Sequence, residues 1–103
     1  MSVTTARAAG GVIRLRVRGD IDLASSDLLL EAIDDALAEQ DLQELLVDLA
    51  EVPFCDSTGI AALDKGYGAA AGRGVRFQIT DPQPIVYRVL EIVGIRQALM
   101  GAA

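Results

Sequence analysis

Histidine is absent from the 103-residue sequence, and cysteine occurs once. Without histidine there is no Ser-His-Asp triad, no imidazole general base and no His-ligated zinc. The lone thiol, Cys55, excludes an intramolecular disulfide, a CxxC redox pair and a thiolate zinc cage, and it suits a reducing, intracellular setting. Basic residues are scarce too. Nine Lys plus Arg against fifteen Asp plus Glu leave a net charge of −6, whereas a nucleic-acid binder needs a basic face to neutralise phosphates. No apolar run approaches the ~20 residues of a membrane span, and Met1–Arg18 has no signal-peptide h-region. What is present is ordinary globular composition, 51% hydrophobic and 23% charged. A chain of this length suits one domain over 1–103 and can bury roughly two thirds of its unfolded surface. The expectation is a small, acidic, cytoplasmic domain with no metal, no cofactor, no direct nucleic-acid contact and no direct membrane insertion.

Along the chain, hydrophobic period separates strands from helices. Val3–Ala8 and Val12–Arg18 read as strands; in the second, Val12, Ile13, Leu15 and Val17 are apolar, and Arg14, Arg16 and Arg18 alternate with the last two. Gly10-Gly11 between them is a hairpin signal, because glycine takes positive φ without steric cost, so this pair is expected to be antiparallel. After Gly19-Asp20-Ile21-Asp22, the run Ser25-Ser26-Asp27 offers N-caps, and Leu29, Leu30, Ile33, Ala36 and Leu37 recur at helical spacing to about Glu39. Leu42–Leu49 reads as a buried strand, reached by a βαβ crossover and therefore parallel to the second strand. A second helix is predicted over Thr58–Ala71 with Ile60, Leu63 and Tyr67 inward; Gly66 and Gly68 inside it serve either close packing or flexibility. Val75–Ile79 alternates as a strand, and Pro82 and Pro84 introduce a helix with Ile85, Val86, Val89, Leu90 and Val93 as its stripe and Gly94 as its stop. Ile95–Met100 reads as a short last helix. The resulting β-β-α-β-α-β-α-α order is an α/β fold, one sheet of four or five strands with helices packed on it.

Chemistry can sit at the junction Asp56-Ser57-Thr58-Gly59, between a buried strand and a helix, because the carboxyl ends of strands in open α/β sheets are where ligands and partners meet the fold. A hydroxyl at a helix start lies among unsatisfied N–H groups that stabilise a phosphate, while the adjacent Asp56 opposes it. Ser, Thr and Asp are also the preferred N-caps, so capping alone accounts for these residues. Other candidates carry less. Gly72-Arg73-Gly74 lacks the remainder of a phosphate-cradling loop and reads as a helix stop. Asp20 and Asp22 read as a turn rather than a catalytic pair. Cys55 has no histidine to activate it and reads as a small buried thiol. Arg14, Arg16 and Arg18 read as a solvated sheet face or edge. No catalytic residue is assigned.

Taken together, the chain resembles a STAS domain of the anti-sigma factor antagonist type over nearly its whole length. The resemblance rests on Gly19-Asp20-Ile21-Asp22, similar to the family's Gly-acid-apolar-Asp turn, and on Val47-Asp48-Leu49 followed by Val52-Pro53-Phe54-Cys55-Asp56-Ser57-Thr58-Gly59-Ile60, similar to its apolar strand and Asp-Ser-Ser/Thr-Gly-apolar motif. Val75–Val93 followed by Gly94-Ile95 fits the family's C-terminal half. The resemblance implies a STAS-like single domain, a four- to five-stranded mixed sheet with about four helices, and a switch rather than an enzyme. In such a switch the unphosphorylated antagonist binds an anti-sigma factor that is also a serine kinase and so frees a sigma factor. The kinase, supplying its own ATP, phosphorylates the serine after the family's Asp, which here is Ser57, with Thr58 the alternative acceptor, and a phosphatase resets it. Asp56 would orient the site, Thr58 and Gly59 would shape the helix start, and Asp20 and Asp22 would help form the docking surface. Two further roles known for the fold are a regulatory subunit of a membrane ABC transport complex and a stressosome-like scaffold. The departures are Thr58, where many relatives have a second Ser, Cys55, where a larger apolar residue is common, and the helix glycines Gly66 and Gly68.

Overall fold

A computed structural model of the chain describes residues 1–92. Strands β1 (Ser2–Ala8) and β2 (Val12–Arg18) are followed by α1 (Ser26–Leu37), β3 (Glu44–Glu51), α2 (Ser57–Gly72), β4 (Arg76–Thr80) and α3 (Pro84–Ile92). The sheet has four strands in the order β1-β2-β3-β4, with β1 antiparallel to β2 and the other neighbours parallel. The hairpin glycines adopt the expected left-handed conformation, Gly10 at φ 83° and Gly11 at φ 75°. Gly11 also has to be glycine for space, since a Cβ there would lie 2.5 Å from the Asp41 carbonyl oxygen.

Period two in the strands translates directly into layers. Ile13, Leu15 and Val17, with Leu45, Val47 and Leu49 and then Phe77 and Ile79, are buried beneath the helices in one apolar core. Leu29, Ile33 and Leu37 of α1, Ile60 and Leu63 of α2, and Val86 and Leu90 of α3 close that core. The arginine stripe lies on the opposite, helix-free face. There Arg14 and Arg16 flank the buried Asp48 at 3.4 and 3.7 Å, Arg18 meets Glu51 at 3.3 Å and Arg76 meets Glu44 at 3.7 Å. Asp48 is accommodated because its Oδ1 also accepts the Ala50 N–H at 2.9 Å, so the buried carboxylate is paired and hydrogen-bonded.

The described residues form a four-stranded sheet, within the expected four to five, and three helices; the expected helix at Ile95–Met100, with Val93 and Gly94, lies outside them. Some details differ from expectation. Helix α1 ends at Leu37 rather than Glu39, and β3 and β4 begin one or two residues later than their apolar runs. Ile85 is 57% exposed, so the stripe of α3 is carried by Val86 and Leu90 with Val89 partly buried. Gly66 is a packing glycine, since a Cβ there would lie 2.9 Å from Ile33 Cδ1 where α2 crosses α1. Gly68 faces open space.

Candidate functional site

The site is built where β2 and β3 run out. Between Arg16 and Arg18 the β2–β3 register shifts: two steps along β2 match three along β3, from Asp48 to Glu51. Such a bulge increases local twist and re-aims the chain that follows. Beyond it the two chains are rejoined by backbone bonds, from Gly19 N–H to the Glu51 carbonyl (3.0 Å), from Ile21 N–H to the Phe54 carbonyl (2.9 Å) and from Asp56 N–H to the Ile21 carbonyl (3.1 Å). The parallel Ile21–Cys55 bridge therefore brings the Asp20–Asp22 turn alongside the Asp56–Gly59 junction. Helix α2 starts directly on that bridge. A Cβ at Gly59 would sit 2.6 Å from Cys55 Sγ and 2.9 Å from the Ile21 carbonyl oxygen, so only glycine allows this approach.

Asp56 is the N-cap of α2, with extended backbone at φ −90° and ψ −173°. Its Oδ1 accepts the amides of Thr58 at 2.9 Å and Gly59 at 3.0 Å, and the Thr58 hydroxyl at 2.5 Å. The Thr58 hydroxyl, then the Gly59 amide, hold its carboxyl below the usual carboxylate value, with smaller contributions from the amides of Thr58 and Leu23. Ser57, one residue on, is exposed, and its hydroxyl makes no hydrogen bond among the described residues. The two hydroxyls that the sequence left as alternatives are thus in different states, Ser57 presented and Thr58 engaged.

Asp22 is half-buried, and its Oδ1 accepts from the Ala24 amide (3.1 Å), the Ser25 amide (3.2 Å) and the Ser25 hydroxyl (3.1 Å). It is this carboxylate that organises the turn before α1. Ser25 is the N-cap by position, yet its side chain does not cap the helix. Its single hydroxyl proton is shared between the Asp20 carbonyl at 2.9 Å and Asp22 Oδ1, and its oxygen accepts the Asp22 N–H at 3.0 Å. Asp20 itself is exposed, and its carboxylate has no partner among the described residues. Asp20 and Asp22 line a hollow of about 430 Å³ with Met1, Ala24, Ser25 and Leu28. Three apolar residues, Leu23 (77%), Leu28 (45%) and Phe54 (46%), are exposed, and none was given a surface role from the sequence although two adjoin the site in the chain. Phe54 was legible as an aromatic stranded between Pro53 and a polar turn, and Leu23 as an apolar residue ahead of the α1 stripe.

Cys55 is buried beneath the junction, and burial, then the charge of Asp56, push its thiol up to about 12. It is an inert packing group. No cluster of His, Cys, Asp and Glu able to hold a metal occurs among the described residues, nor is any described helix long and apolar enough to cross a membrane. The segment that builds the site is acidic, since the chain carries no basic residue between Arg18 and Lys65.

Comparison with known proteins agrees with this geometry. A family model described as "Mlab, STAS domain" matches residues 4–101. The anti-sigma F factor antagonist of Paenibacillus polymyxa is 26% identical over 85 residues, covering 82% of this chain and 73% of that protein. A crystal structure of an anti-sigma factor antagonist from Mycobacterium paratuberculosis superposes with a TM-score of 0.80 at 27% identity, covering 95% of this chain and 83% of that one. The unphosphorylated anti-sigma factor antagonist SpoIIAA shares the fold at TM-score 0.81 and 17% identity, with 99% and 88% covered. Its phosphorylated Bacillus form does so at 0.74 and 16%, with 99% and 91% covered. Strand order, the strand-to-helix junction and the family match agree: the chain belongs to the STAS-domain family.

Proposed function

We propose that this chain is an anti-sigma factor antagonist whose binding is switched by phosphorylation at Ser57. The observation that carries the reading is the exposed, unbonded Ser57 hydroxyl on the first turn of α2, beside a Thr58 hydroxyl already held by Asp56. The partner is an anti-sigma factor that acts as a serine kinase with its own ATP, and a phosphatase restores the free hydroxyl. The Asp20–Asp22 turn and Asp56–Gly59 form one continuous surface for that partner, in the cytoplasm, and the chain acts by binding rather than by turnover.

The physics of the switch is local. Phosphorylation adds about −1.5 to −2 charge, next to Asp56 and within a surface that already carries Asp20 and Asp22. Asp56 already accepts the Thr58 and Gly59 amides of the first turn of α2, so in the free protein a phosphate on Ser57 is left with the Ser57 amide and solvent. In a partner interface the same group is a desolvated charge, whose cost can reach several kcal/mol. Since about 1.4 kcal/mol is tenfold in affinity, one phosphoryl group releases the partner without refolding the domain.

The test is intact mass and fragmentation of the protein from its own cells, together with partner capture by variants. One phosphoryl group on Ser57, lost in Ser57→Ala and retained in Thr58→Val, is expected. Ser57→Ala should hold its partner constitutively, and Ser57→Asp should bind it more weakly. Phosphate on Thr58 would move the acceptor. Absence of phosphate under all growth conditions would overturn the switch, and stable co-purification with a membrane ATPase regardless of Ser57 would favour the regulatory-subunit role.

A further inference from the structure

A second surface, separate from Ser57, combines a free sheet edge with a groove. β1 is an edge strand of the sheet, and all of its residues but Val3 are exposed. Natural edges are blunted by charge, proline or a bulge. β1 has none of the last two, and its one charge, Arg7, is tied to Glu39 by a hydrogen bond of 2.6 Å. Because Val3, Thr5 and Arg7 pair with Val17, Leu15 and Ile13, their side chains lie on the helix-covered face of the sheet. Between them and α1 runs a groove of about 610 Å³. Val3, Leu28 and Ala32 line it with apolar surface, and Glu31, Asp34 and Asp35 line it with carboxylates; Arg7, the one cation in its lining, is the residue already bound to Glu39.

These three carboxylates are exposed and have no ion-pair partner among the described residues. Like charges spaced three or four apart on a helix repel, and Asp34 and Asp35 oppose the helix dipole at the end of α1, whose last turn carries no basic residue. Such a lining is complementary to a cation. Lys and Arg are the side chains that satisfy both parts of it together, with an aliphatic stem over the apolar surface and a charged head at the carboxylates. A second copy of the chain fits poorly. Its β1 brings one paired cation, and two-fold pairing would set a second acidic α1 against the first.

We propose that the groove between β1 and α1 docks an extended, cationic segment of a partner protein, which adds a strand to the free edge of β1 and lays Lys or Arg side chains across the groove to Glu31, Asp34 and Asp35. Backbone pairing supplies the affinity and the carboxylates the specificity, as in other strand-addition sites. The docking is independent of the state of Ser57.

The probe is a synthetic peptide of about seven residues, alternating Lys and Val, a length matched to a strand of this kind, titrated into the isotope-labelled full chain. Amide shifts and slowed hydrogen exchange are expected at Ser2–Ala8, with shifts along α1. Affinity should fall about tenfold or more when the charge is reversed by Glu31→Lys with Asp35→Lys. It should fall comparably for a peptide N-methylated at alternate amides, which leaves the protein untouched. Ser57→Asp should bind as the wild type does, so failure here is distinct from failure of the switch. No shifts with peptide on the order of 1 mM, shifts confined to other surfaces, or equal affinity for the charge-reversed variant would overturn the proposal. So would self-association that protects Ser2–Ala8, which would assign the edge to a second copy.

Discussion

Three glycines of α2 meet different surroundings, and alanine at each should change stability by a different amount and sign. At Gly59 an added Cβ would lie 2.6 Å from Cys55 Sγ, 2.8 Å from Ile21 Cγ2 and 2.9 Å from the Ile21 carbonyl oxygen. The last of these is backbone, and it accepts the Asp56 N–H that holds the two loops together. Relief requires the Asp20–Asp22 turn to move away from α2. Overpacking of this kind costs ~1–3 kcal/mol, and loss of the Asp56–Ile21 bond adds about 1 kcal/mol. Helix propensity returns at most ~1 kcal/mol, so Gly59→Ala should destabilise by roughly 1–3 kcal/mol net. Gly68 has nothing within 4 Å of the added atom, and Gly68→Ala should stabilise, by ~0.5–1 kcal/mol. Gly66 lies between them, because its nearest contact at 2.9 Å is the tip of the Ile33 side chain, which can yield. For a chain of this size each kcal/mol moves Tm by about 4–8 °C, so the Gly59 and Gly68 variants should melt on the order of 10 °C apart or more. Urea and thermal unfolding followed by circular dichroism would measure the series, and amide shifts at Asp20–Leu23 would report the displaced turn. A Gly59→Ala protein as stable as the wild type would refute the close approach of turn and helix on which the site depends.

Other perturbations test the remaining contacts. Asp56 has its carboxyl lowered from the ordinary value of 3.8, so its stabilisation is present above that pH and is lost as pH falls through the lower folded value. The gap in urea midpoint between wild type and Asp56→Ala should be constant from neutral pH to about 5 and close in acid below 3.8; a gap that ignores pH would remove charge from the explanation. The Cys55 thiol, pushed up to about 12 by burial and the Asp56 charge, should resist iodoacetamide in the native protein at pH 8 and react in urea, as peptide mass would show. Rapid native labelling would contradict its burial. Asp48→Ala leaves the Ala50 amide without its acceptor and Arg14 beside Arg16 without a counter-charge, at a cost of roughly 1–3 kcal/mol in denaturant unfolding. Asp48→Asn separates the two contributions, and an Asn variant equal to wild type would show that the ion pairs contribute nothing.

The sequence by itself determined the order of the described elements, from β1 to α3. The bounds of β2 and the face it buries were readable in the alternation of Ile13, Leu15 and Val17 with three arginines, because burial selects side chains at a period of two residues. The hairpin was readable in Gly10-Gly11, and the parallel pairing of β3 in the helix that precedes it, because backbone sterics and chain connectivity act locally. The Asp56-Ser57-Thr58-Gly59 junction could be located from the same local signals. Only the tertiary structure decided how the junction works. The pairing of Ile21 with Cys55 joins residues 34 positions apart through a register shift that no local pattern encodes. The same holds for Gly66, whose need for space arises from Ile33 on another helix, whereas Gly68 in the same turn meets nothing. Ser57 and Thr58 are equivalent as letters, yet a 2.5 Å bond to Asp56 engages one hydroxyl and leaves the other free. Likewise Asp22 organises its turn while Asp20 stands exposed. Propensity and period report what each residue prefers on its own, whereas these roles depend on distances set when separate segments pack to fill one core.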